Sequence, residues 1–243
     1  MFRLIICFVF MVGYLIYSLP FLRMMKKLDP KKDVAKRDQI INRIPKQFAK
    51  IFIKLTGSTV TVKGNDRIPE GPVLIISNHE GDFDIPVLLG FIDKPFGFIS
   101  KVEVRKIPIV ASWMEVMNCV FINRKNRRQA IESIKEGVKQ LKKGHSLVIF
   151  PEGTRSKGGP IREFKNGGFH LAVDAQVPIV PITIVGTSDI FEKNNRLIKP
   201  ANIQLIIGNP VYSHLKSQMD IKELSLEVRS IIINQFDQGK KVS

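Results

Sequence analysis

The sequence predicts an α/β fold, with a mixed, largely parallel sheet flanked by helices and an N-terminal helical membrane anchor. Two observations predict this fold class. After residue 57, short apolar runs typical of buried strands alternate with amphipathic helical patterns. Before that point the chain is first almost wholly apolar and then basic and amphipathic. We therefore expect membrane-associated helices over residues 1–56 and the α/β domain over residues 57–243.

The length and composition fit either one sizeable core or a domain with an appendage. The chain has 243 residues, of which 44% are hydrophobic and 25% charged, so it is not a disordered sequence. The formal net charge of +16 suits anionic partners such as membrane lipid, nucleic acid or phosphorylated substrates. The two cysteines, Cys7 and Cys119, imply no disulfide scaffold and fit a reducing compartment.

The segment from Leu4 to Leu22 is almost unbroken apolar sequence. About 20 such residues span the hydrocarbon core of a bilayer. A signal peptide is the main alternative, but no clean small-x-small cleavage site follows this long run. Basic residues follow instead, and the positive-inside rule places them and the rest of the chain on the cytoplasmic side: Arg23, Lys26, Lys27, Lys31 and Lys32.

The pattern from Lys31 to Lys54 predicts a basic amphipathic helix, which Pro45 is expected to kink. Such a helix tends to lie in an anionic membrane interface, although an ordinary domain helix with a solvated basic face gives the same pattern. The apolar segment before it favours membrane contact. The sequence leaves open whether the two helices span the bilayer or dip into one leaflet.

From Ser58 onward, strand and helix patterns alternate. The predicted strands are Thr59–Val62, Val73–Ile76, Phe96–Ile99, Cys119–Ile122, Leu147–Phe150, Ile179–Val185 and Ile203–Ile207. The predicted helices are Asp84–Phe91, Ile107–Met117, Arg128–Lys143, Asn166–Ala175 and Asp220–Phe236. Alternation of this kind favours a largely parallel or mixed sheet.

A histidine and an aspartate five positions apart, His79 and Asp84, follow the predicted strand Val73–Ile76. Ligands of open α/β sheets bind at the carboxyl ends of strands. An imidazole held by a carboxylate is a general base that can take a proton from a hydroxyl. The spacing alone fits a turn with local side-chain hydrogen bonds equally well.

A metal site is a second alternative for this stretch. Four potential ligands lie close together in the sequence, namely His79, Glu80, Asp82 and Asp84. The rest of the chain supplies no clear second set of ligands, so we predict no metal. The serine-nucleophile pattern G-x-S-x-G is absent from the sequence, which argues against a serine hydrolase.

Three further predicted strands end in polar clusters. Lys101 lies just past one strand and Arg124 just past another. A third strand ends in a tight turn made of Glu152, Gly153, Thr154 and Arg155. If these strands are parallel, their ends open with His79 onto one crevice. Lysine and arginine there would bind a phosphate, and a glycine permits close approach of the backbone to a ligand.

Four motifs, in the family's order, resemble those of the glycerolipid acyltransferases. Asn78–Asp84 resembles the His-x4-Asp motif, and Val120–Arg124 resembles the second motif, which usually ends in arginine. Phe150–Ser156 is a close match to the third, and Val177–Ile182 is similar to the fourth, an apolar strand with proline. The second motif often begins with glycine in this family, and Met117–Cys119 occupies that region here. The whole-chain layout most resembles the members that acylate 1-acyl-glycerol 3-phosphate.

The resemblance implies transfer of a fatty acyl group from an acyl thioester to the sn-2 hydroxyl of lysophosphatidate, with no acyl-enzyme. His79 would deprotonate that hydroxyl and Asp84 would orient His79. The substrate-binding residues that the resemblance implies, including the phosphate contacts, are Lys101, Arg124, Glu152, Gly153, Thr154 and Arg155. An oxyanion hole from backbone N–H groups near Gly153 is chemically reasonable.

The expected partners are lysophosphatidate, membrane lipid and an acyl carrier, either coenzyme A or acyl carrier protein, which is a co-substrate. No metal or redox cofactor is expected. The expected location is the cytoplasmic face of the cell membrane. Two alternatives stay open: an acyltransferase acting on glycerol 3-phosphate or another lysolipid, and a non-catalytic protein that binds anionic lipid. Nucleic-acid binding is not favoured, because no stacking or reader motif is present.

Overall fold

The computed structural model describes residues 1–29, 32–212 and 220–242, and it confirms the predicted fold class. The helices are α1 (Phe2–Tyr17), α2 (Leu19–Lys27), α3 (Val34–Thr56), α4 (Asp84–Phe91), α5 (Pro108–Val116), α6 (Arg127–Lys142), α7 (His170–Ala175) and α8 (Ile221–Val242). The strands are β1 (Thr59–Lys63), β2 (Leu74–Ser77), β3 (Phe96–Lys101), β4 (Val120–Ile122), β5 (Ser146–Ile149), β6 (Ile179–Val185) and β7 (Asn202–Ile207). Lys31, the predicted start of the amphipathic helix, lies outside the described residues.

The seven strands form one mixed sheet with the order β1-β7-β6-β2-β5-β3-β4. The five strands from β2 to β6 are mutually parallel. Strand β7 runs antiparallel to β6 and parallel to β1, so the two strands at this end run the opposite way. The carboxyl ends of β2 to β6 therefore share one edge, as the sequence predicted for the strands that precede His79 and the basic clusters.

The central strand β2 is buried on both faces, which explains its continuous apolar run. Because successive side chains alternate between the two faces, Leu74 and Ile76 pack with residues of α6, α7 and α8. Ile75 packs on the opposite face with Val87 and Leu88 of α4. The sheet is thus covered on both sides, with a separate hydrophobic core on each face.

The N-terminal helices pack onto the α4 side of the sheet. Phe10 of α1 stacks on Phe48 of α3 with ring centroids 5.7 Å apart, and Phe52 stacks on Phe83 at 5.6 Å. Helix α3 approaches α4 closely at Gly90, where a Cβ would lie 3.3 Å from the backbone nitrogen of Lys50. An aromatic stack therefore runs from α1 through α3 to the residue beside Asp84.

The outward face of α1 is apolar and exposed: Phe2, Ile5, Phe8, Val9, Val12 and Ile16. The stretch Phe2–Lys27, which comprises α1, Ser18 and α2, is long and apolar enough to cross a membrane. Length and composition alone do not distinguish such a stretch from a signal sequence. Helix α3 continues through Pro45, and the kink expected there stays a prediction. The division of the chain at residue 57 also stays a prediction.

Two predicted helices differ from the structure. The segment predicted as a helix over Asn166–Ala175 contains a 3₁₀ turn at Asn166–Gly168 and the short helix α7. Adjacent glycines disfavour an α-helix, and Gly168 lies so close to Ile149 that a Cβ would be 2.6 Å from its Cδ1 atom. Helix α8 continues six residues beyond Phe236, its predicted end.

We expect Gly97→Ala to lower the free energy of unfolding by about 1–3 kcal/mol. Gly97 lies in β3, where a Cβ would be 2.7 Å from the carbonyl oxygen of Met117, a backbone atom that cannot rotate away. Urea denaturation of the detergent-solubilised protein, followed by the fluorescence of the single tryptophan, Trp113, measures the change. Gly167→Ala is the matched control, since a Cβ there meets nothing within 4 Å. Equal stability of the two variants would contradict the expectation.

Candidate active site

The loop after β2 is fixed to the neighbouring strand β6 by Asn78. Its side-chain amide donates to the carbonyl of Ile184 and its Oδ1 accepts the N–H of Ile184, each at 2.8 Å. Asn78 is buried, so the two bonds satisfy polar atoms that water does not reach. The residue before His79 therefore sets the direction in which the loop leaves the sheet.

His79 and Asp84 form the hydrogen-bonded pair that their spacing allowed. His79 Nδ1 lies 2.6 Å from Asp84 Oδ2, which also accepts the N–H of Gly81 at 3.0 Å. Asp84 is fully buried at the start of α4. A carboxylate at Nδ1 favours the tautomer with its proton on that atom, which leaves Nε2 free to accept a proton. The imidazole ring stacks on Phe150 at a centroid distance of 4.1 Å, so its plane is fixed as well.

Glu152 is placed differently from the other predicted binding residues. It is buried, and its two carboxylate oxygens accept the N–H of His79 at 2.7 Å and the N–H of Arg162 at 2.9 Å. Burial raises the pKa of this carboxyl, and the two backbone donors oppose that shift. In the structure Glu152 holds the backbone of the His79 loop through the hydrogen bond from the His79 N–H. Its predicted contact with a headgroup stays a prediction.

Glu80 is another buried carboxyl, and it lies in the loop after β2 that also carries His79. Its Oε2 accepts the N–H groups of Gly186 and Thr187 at 2.8 and 2.9 Å. Removal from water, followed in importance by the negative charge of Asp84, raises the pKa of Glu80 to about 7. The sequence patterns suggested no role for Glu80 beyond the metal alternative, and none for Thr187. Thr187 lies two residues past the end of β6, so the rule that identified Lys101 and Arg124 applies to it too.

The predicted cations gather at the same edge of the sheet. Arg124 donates to the carbonyl of Gly153, and Arg155 pairs with Asp82 and lies 3.7 Å from Glu192. Lys101 is the exposed last residue of β3. The Gly153 N–H donates to the carbonyl of Phe150 at 3.1 Å, so an oxyanion hole at this turn would require other donors.

One cavity of about 630 Å³ joins these cations to the imidazole. Five of the six predicted binding residues line it together with His79, namely Lys101, Arg124, Gly153, Thr154 and Arg155. The cavity continues between the N-terminal helices and α5, where its walls are largely apolar: Met11, Leu15, Ile44, Phe48, Val110, Trp113 and Met114. It thus has a cationic end beside the imidazole and an apolar end among helices.

The loop carboxylates do not converge on a metal position. Glu80 and Asp84 point to the segment after β6, whereas Asp82 is exposed and pairs with Arg155. Across residues 1–29, 32–212 and 220–242, no three side chains of histidine, cysteine, aspartate or glutamate are grouped to hold a metal ion. Protein donors are therefore the partners of Glu80 Oε2, of both Asp84 carboxylate oxygens and of Asp82 Oδ1.

Comparison with known proteins assigns the class that this fold and site define. The family model described as Acyltransferase matches residues 59–185, more than half of the chain. The chain therefore belongs to the acyltransferase family and is an enzyme of that class.

Individual relatives make the comparison more particular. The chain is 32% identical over 203 residues to a probable 1-acyl-sn-glycerol-3-phosphate acyltransferase of Mycoplasma pneumoniae, covering 79% of this chain and 76% of that protein. It is 33% identical over 177 residues to the 1-acyl-sn-glycerol-3-phosphate acyltransferase of Borreliella burgdorferi, covering 72% and 68%. The crystal structure of the 1-acyl-sn-glycerophosphate (LPA) acyltransferase PlsC from Thermotoga maritima matches with a TM-score of 0.82 and 27% identity, covering 97% of this chain and 96% of that one.

We expect Glu80→Gln to flatten the dependence of stability on pH. In the folded protein the pKa of Glu80 is raised from 4.5 to about 7. The folded state therefore binds the proton more tightly than the unfolded state, and the stability that this gives is lost as pH rises through that window. Relative to wild type, the free energy of unfolding of the variant should increase by up to about 3 kcal/mol between about pH 4 and about pH 8.

Urea denaturation at the two pH values measures this difference. Glu136→Gln is the matched control, because Glu136 lies on the surface of α6. A constant difference between Glu80→Gln and wild type at both pH values would contradict the expectation.

Proposed function

We propose that this enzyme transfers a fatty acyl group from an acyl thioester to the sn-2 hydroxyl of 1-acyl-glycerol 3-phosphate, forming phosphatidate for phospholipid synthesis. The observation that carries the proposal is the placement of His79 at the junction between the cationic and apolar ends of one cavity. An anionic headgroup and an acyl chain on the same acceptor require that combination. The names of the relatives support the choice of acceptor.

In the proposed mechanism, His79 is the general base. Asp84 accepts from Nδ1, so Nε2 takes the proton of the acceptor hydroxyl as its oxygen attacks the thioester carbonyl. A carbon–oxygen bond forms, the carbon–sulfur bond breaks, and the thiolate leaves. The imidazolium, stabilised by Asp84, then returns the proton to the thiolate, which gives the free thiol and an unchanged enzyme. No acyl-enzyme is needed, since the acceptor oxygen attacks directly.

The cationic end of the cavity is proposed to bind the acceptor phosphate. Lys101, Arg124 and Arg155 approach it from three different strand ends, β3, β4 and β5. Arginine binds phosphate through two parallel N–H···O bonds, which fixes orientation as well as charge. Gly153 and Thr154 also line the cavity and complete the proposed binding turn.

The apolar end of the cavity is proposed to hold an acyl chain. Its walls come from α1, α3 and α5, so the helices that form the proposed membrane anchor also form the site. The exposed apolar face of α1 and the basic residues that follow it suit a cytoplasmic membrane surface with anionic lipid. The acyl donor is proposed to be acyl-CoA or acyl carrier protein, as a co-substrate, with no resident cofactor.

We expect His79→Ala to lower kcat by about 10³-fold, in the range found for loss of a positioned general base. Purified protein in detergent would be given lysophosphatidate and either acyl-CoA or acyl carrier protein, and release of free thiol would be followed. His170→Ala is the matched control, since His170 also lies near an aspartate, Asp174, at 3.9 Å but is not among the residues lining the cavity. Wild-type turnover by His79→Ala would exclude the catalytic assignment. No thiol release by wild type with either donor would favour a lipid-binding protein.

We expect Arg155→Ala to raise the KM for lysophosphatidate by about tenfold to a hundredfold, the cost of losing a hydrogen bond to a charged group. Because the proposed contact is made with the bound acceptor as well as in the transition state, kcat should change much less. Arg128→Ala is the matched control: this arginine is 90% exposed on α6. An unchanged KM for the acceptor would remove Arg155 from the binding site.

A further inference from the structure

Two buried polar side chains, Glu80 and Thr187, lie behind the His79–Asp84 pair. Neither is among the residues that line the cavity. Glu80 is 2% exposed and Thr187 is fully buried. The Thr187 hydroxyl contacts Asp84 Oδ1, and it lies 3.1 Å from Glu80 Oε2. A continuous chain of polar contacts therefore runs from Glu80 through Thr187 and Asp84 to the imidazole.

The number of protons along this series of polar contacts is limited. Thr187 Oγ1 carries one proton but lies between two carboxyl oxygens, so it donates to only one of them. If both carboxyls were ionised, Thr187 could donate to only one carboxylate. Its oxygen lone pair would then face the buried anionic oxygen of the other. Two carboxylates that share a buried site are also strongly unfavourable unless one is neutral. One of the two carboxyl groups must therefore hold a proton.

The remaining contacts indicate which carboxyl that is. Asp84 faces His79 Nδ1 and the N–H of Gly81, both of which favour its anion. It is also the group that stabilises an imidazolium in the proposed mechanism. Glu80 also accepts from two backbone N–H groups, those of Gly186 and Thr187, and these favour its anion in the same way. The difference is the imidazole, which lies against Asp84 and becomes cationic when it takes a proton. Thr187 then donates to Asp84, and Glu80 supplies the extra proton.

We propose that Glu80 and Thr187 are positioning residues that act on His79 through Asp84, with Thr187 donating to Asp84 and Glu80 holding the proton that keeps the buried site singly charged. The raised pKa of Glu80, about 7, agrees with this arrangement. The inference rests on the proposed function, because there His79 is the base. Its principal test reads the ionisation of His79 directly and needs no turnover.

Other charged groups surround the polar contacts that link Glu80, Thr187, Asp84 and His79. His79 and Asp82 lie on the same loop as Glu80. Glu152 and Arg155 approach from the segment after β5, and Glu192 from the segment after β6. Asp82 and Glu192 face Arg155, and Glu152 is held by two backbone donors. Variants of Glu80 and Thr187 leave these groups unchanged, so differences from wild type report on the two substituted residues.

The experiment is a titration of the His79 imidazole by NMR, following its Cε1–H resonance in detergent-solubilised protein. The signal is assigned, among the four histidines of the chain, by its absence from His79→Ala. Glu80 holds its proton below about pH 7 and ionises above it, where its negative charge would keep the proton on His79. Glu80→Gln removes that charge, so the midpoint should move to lower pH by about half a unit or more. Thr187→Val removes a donor from Asp84, which strengthens the attraction of Asp84 for the imidazolium. The midpoint should then move to higher pH by a similar amount, about half a unit.

Thr183→Val is the matched control. Thr183 is a buried threonine of β6 whose hydroxyl donates to Gln235 Oε1 at 2.8 Å, away from the site. This substitution should leave the midpoint unchanged, and Thr187→Ser, which keeps the hydroxyl, should restore the wild-type midpoint. Midpoints of Glu80→Gln and Thr187→Val that match wild type, or that move in the same direction, would overturn the proposal. A purely structural role would not produce opposite shifts.

The pH profile of kcat/KM gives a second readout that separates this inference from the proposed function. If the enzyme transfers acyl groups as proposed, the acid limb of the profile should move in the same two directions. If wild type releases no thiol, the proposed function fails, and the NMR titration still supports or overturns the positioning role. Active variants whose acid limb stays at the wild-type position would overturn the inference and leave the function intact.

Discussion

The buried carboxylate of Asp84 is the group on which the other contacts of the site depend. A charge removed from water is strongly unfavourable unless hydrogen bonds compensate it. Asp84 has three such partners, the imidazole of His79, the N–H of Gly81 and the hydroxyl of Thr187. Two of these come from its own loop and the third from the segment after β6. Satisfying one carboxylate therefore fixes the loop after β2 to a neighbouring part of the sheet.

The same constraint explains the supporting carboxyls. Glu152 holds the backbone of His79, and Glu80 holds the backbone of Gly186 and Thr187. Each therefore uses backbone donors to connect two segments at the carboxyl edge of the sheet. Loops held in this way have little freedom to rearrange, so the imidazole is already oriented in the absence of a ligand. The aromatic contact with Phe150 adds a fixed ring plane.

The helices before the sheet contribute to the site as well as to the surface. An aromatic stack connects Phe10 of α1 to Phe83, the residue before Asp84. The apolar end of the cavity lies between these helices and α5. The exposed apolar face of α1 and the apolar walls of the cavity are thus two sides of one helical layer. Such a layer places the apolar end of the cavity beside a surface suited to lipid contact.

Most of the fold was predictable because its signals are local. Apolar runs of strand length, helical periodicity and turn residues depend on neighbours in the sequence, and they gave the elements of the mixed sheet. The motifs that include His79, Arg124 and Arg155 were identifiable for the same reason. The structure then confirmed that their strands are parallel and that their ends share one cavity. The helix predicted over Asn166–Ala175 was wrong in detail, because the packing of Gly168 against Ile149 is a tertiary contact that local patterns do not reveal.

By itself, the sequence determined which residue types lie at each strand end, and hence the proposed general base, the cations and the resemblance to the family. Only the tertiary structure decided which of them face the cavity and which face the interior. Glu152 and Arg155 are three residues apart, yet one supports the loop and the other lines the cavity. Thr187 is more than a hundred residues from Asp84, yet it donates to its carboxylate. These contacts depend on which strands are adjacent in the sheet, and strand order is a non-local property that local sequence patterns do not specify.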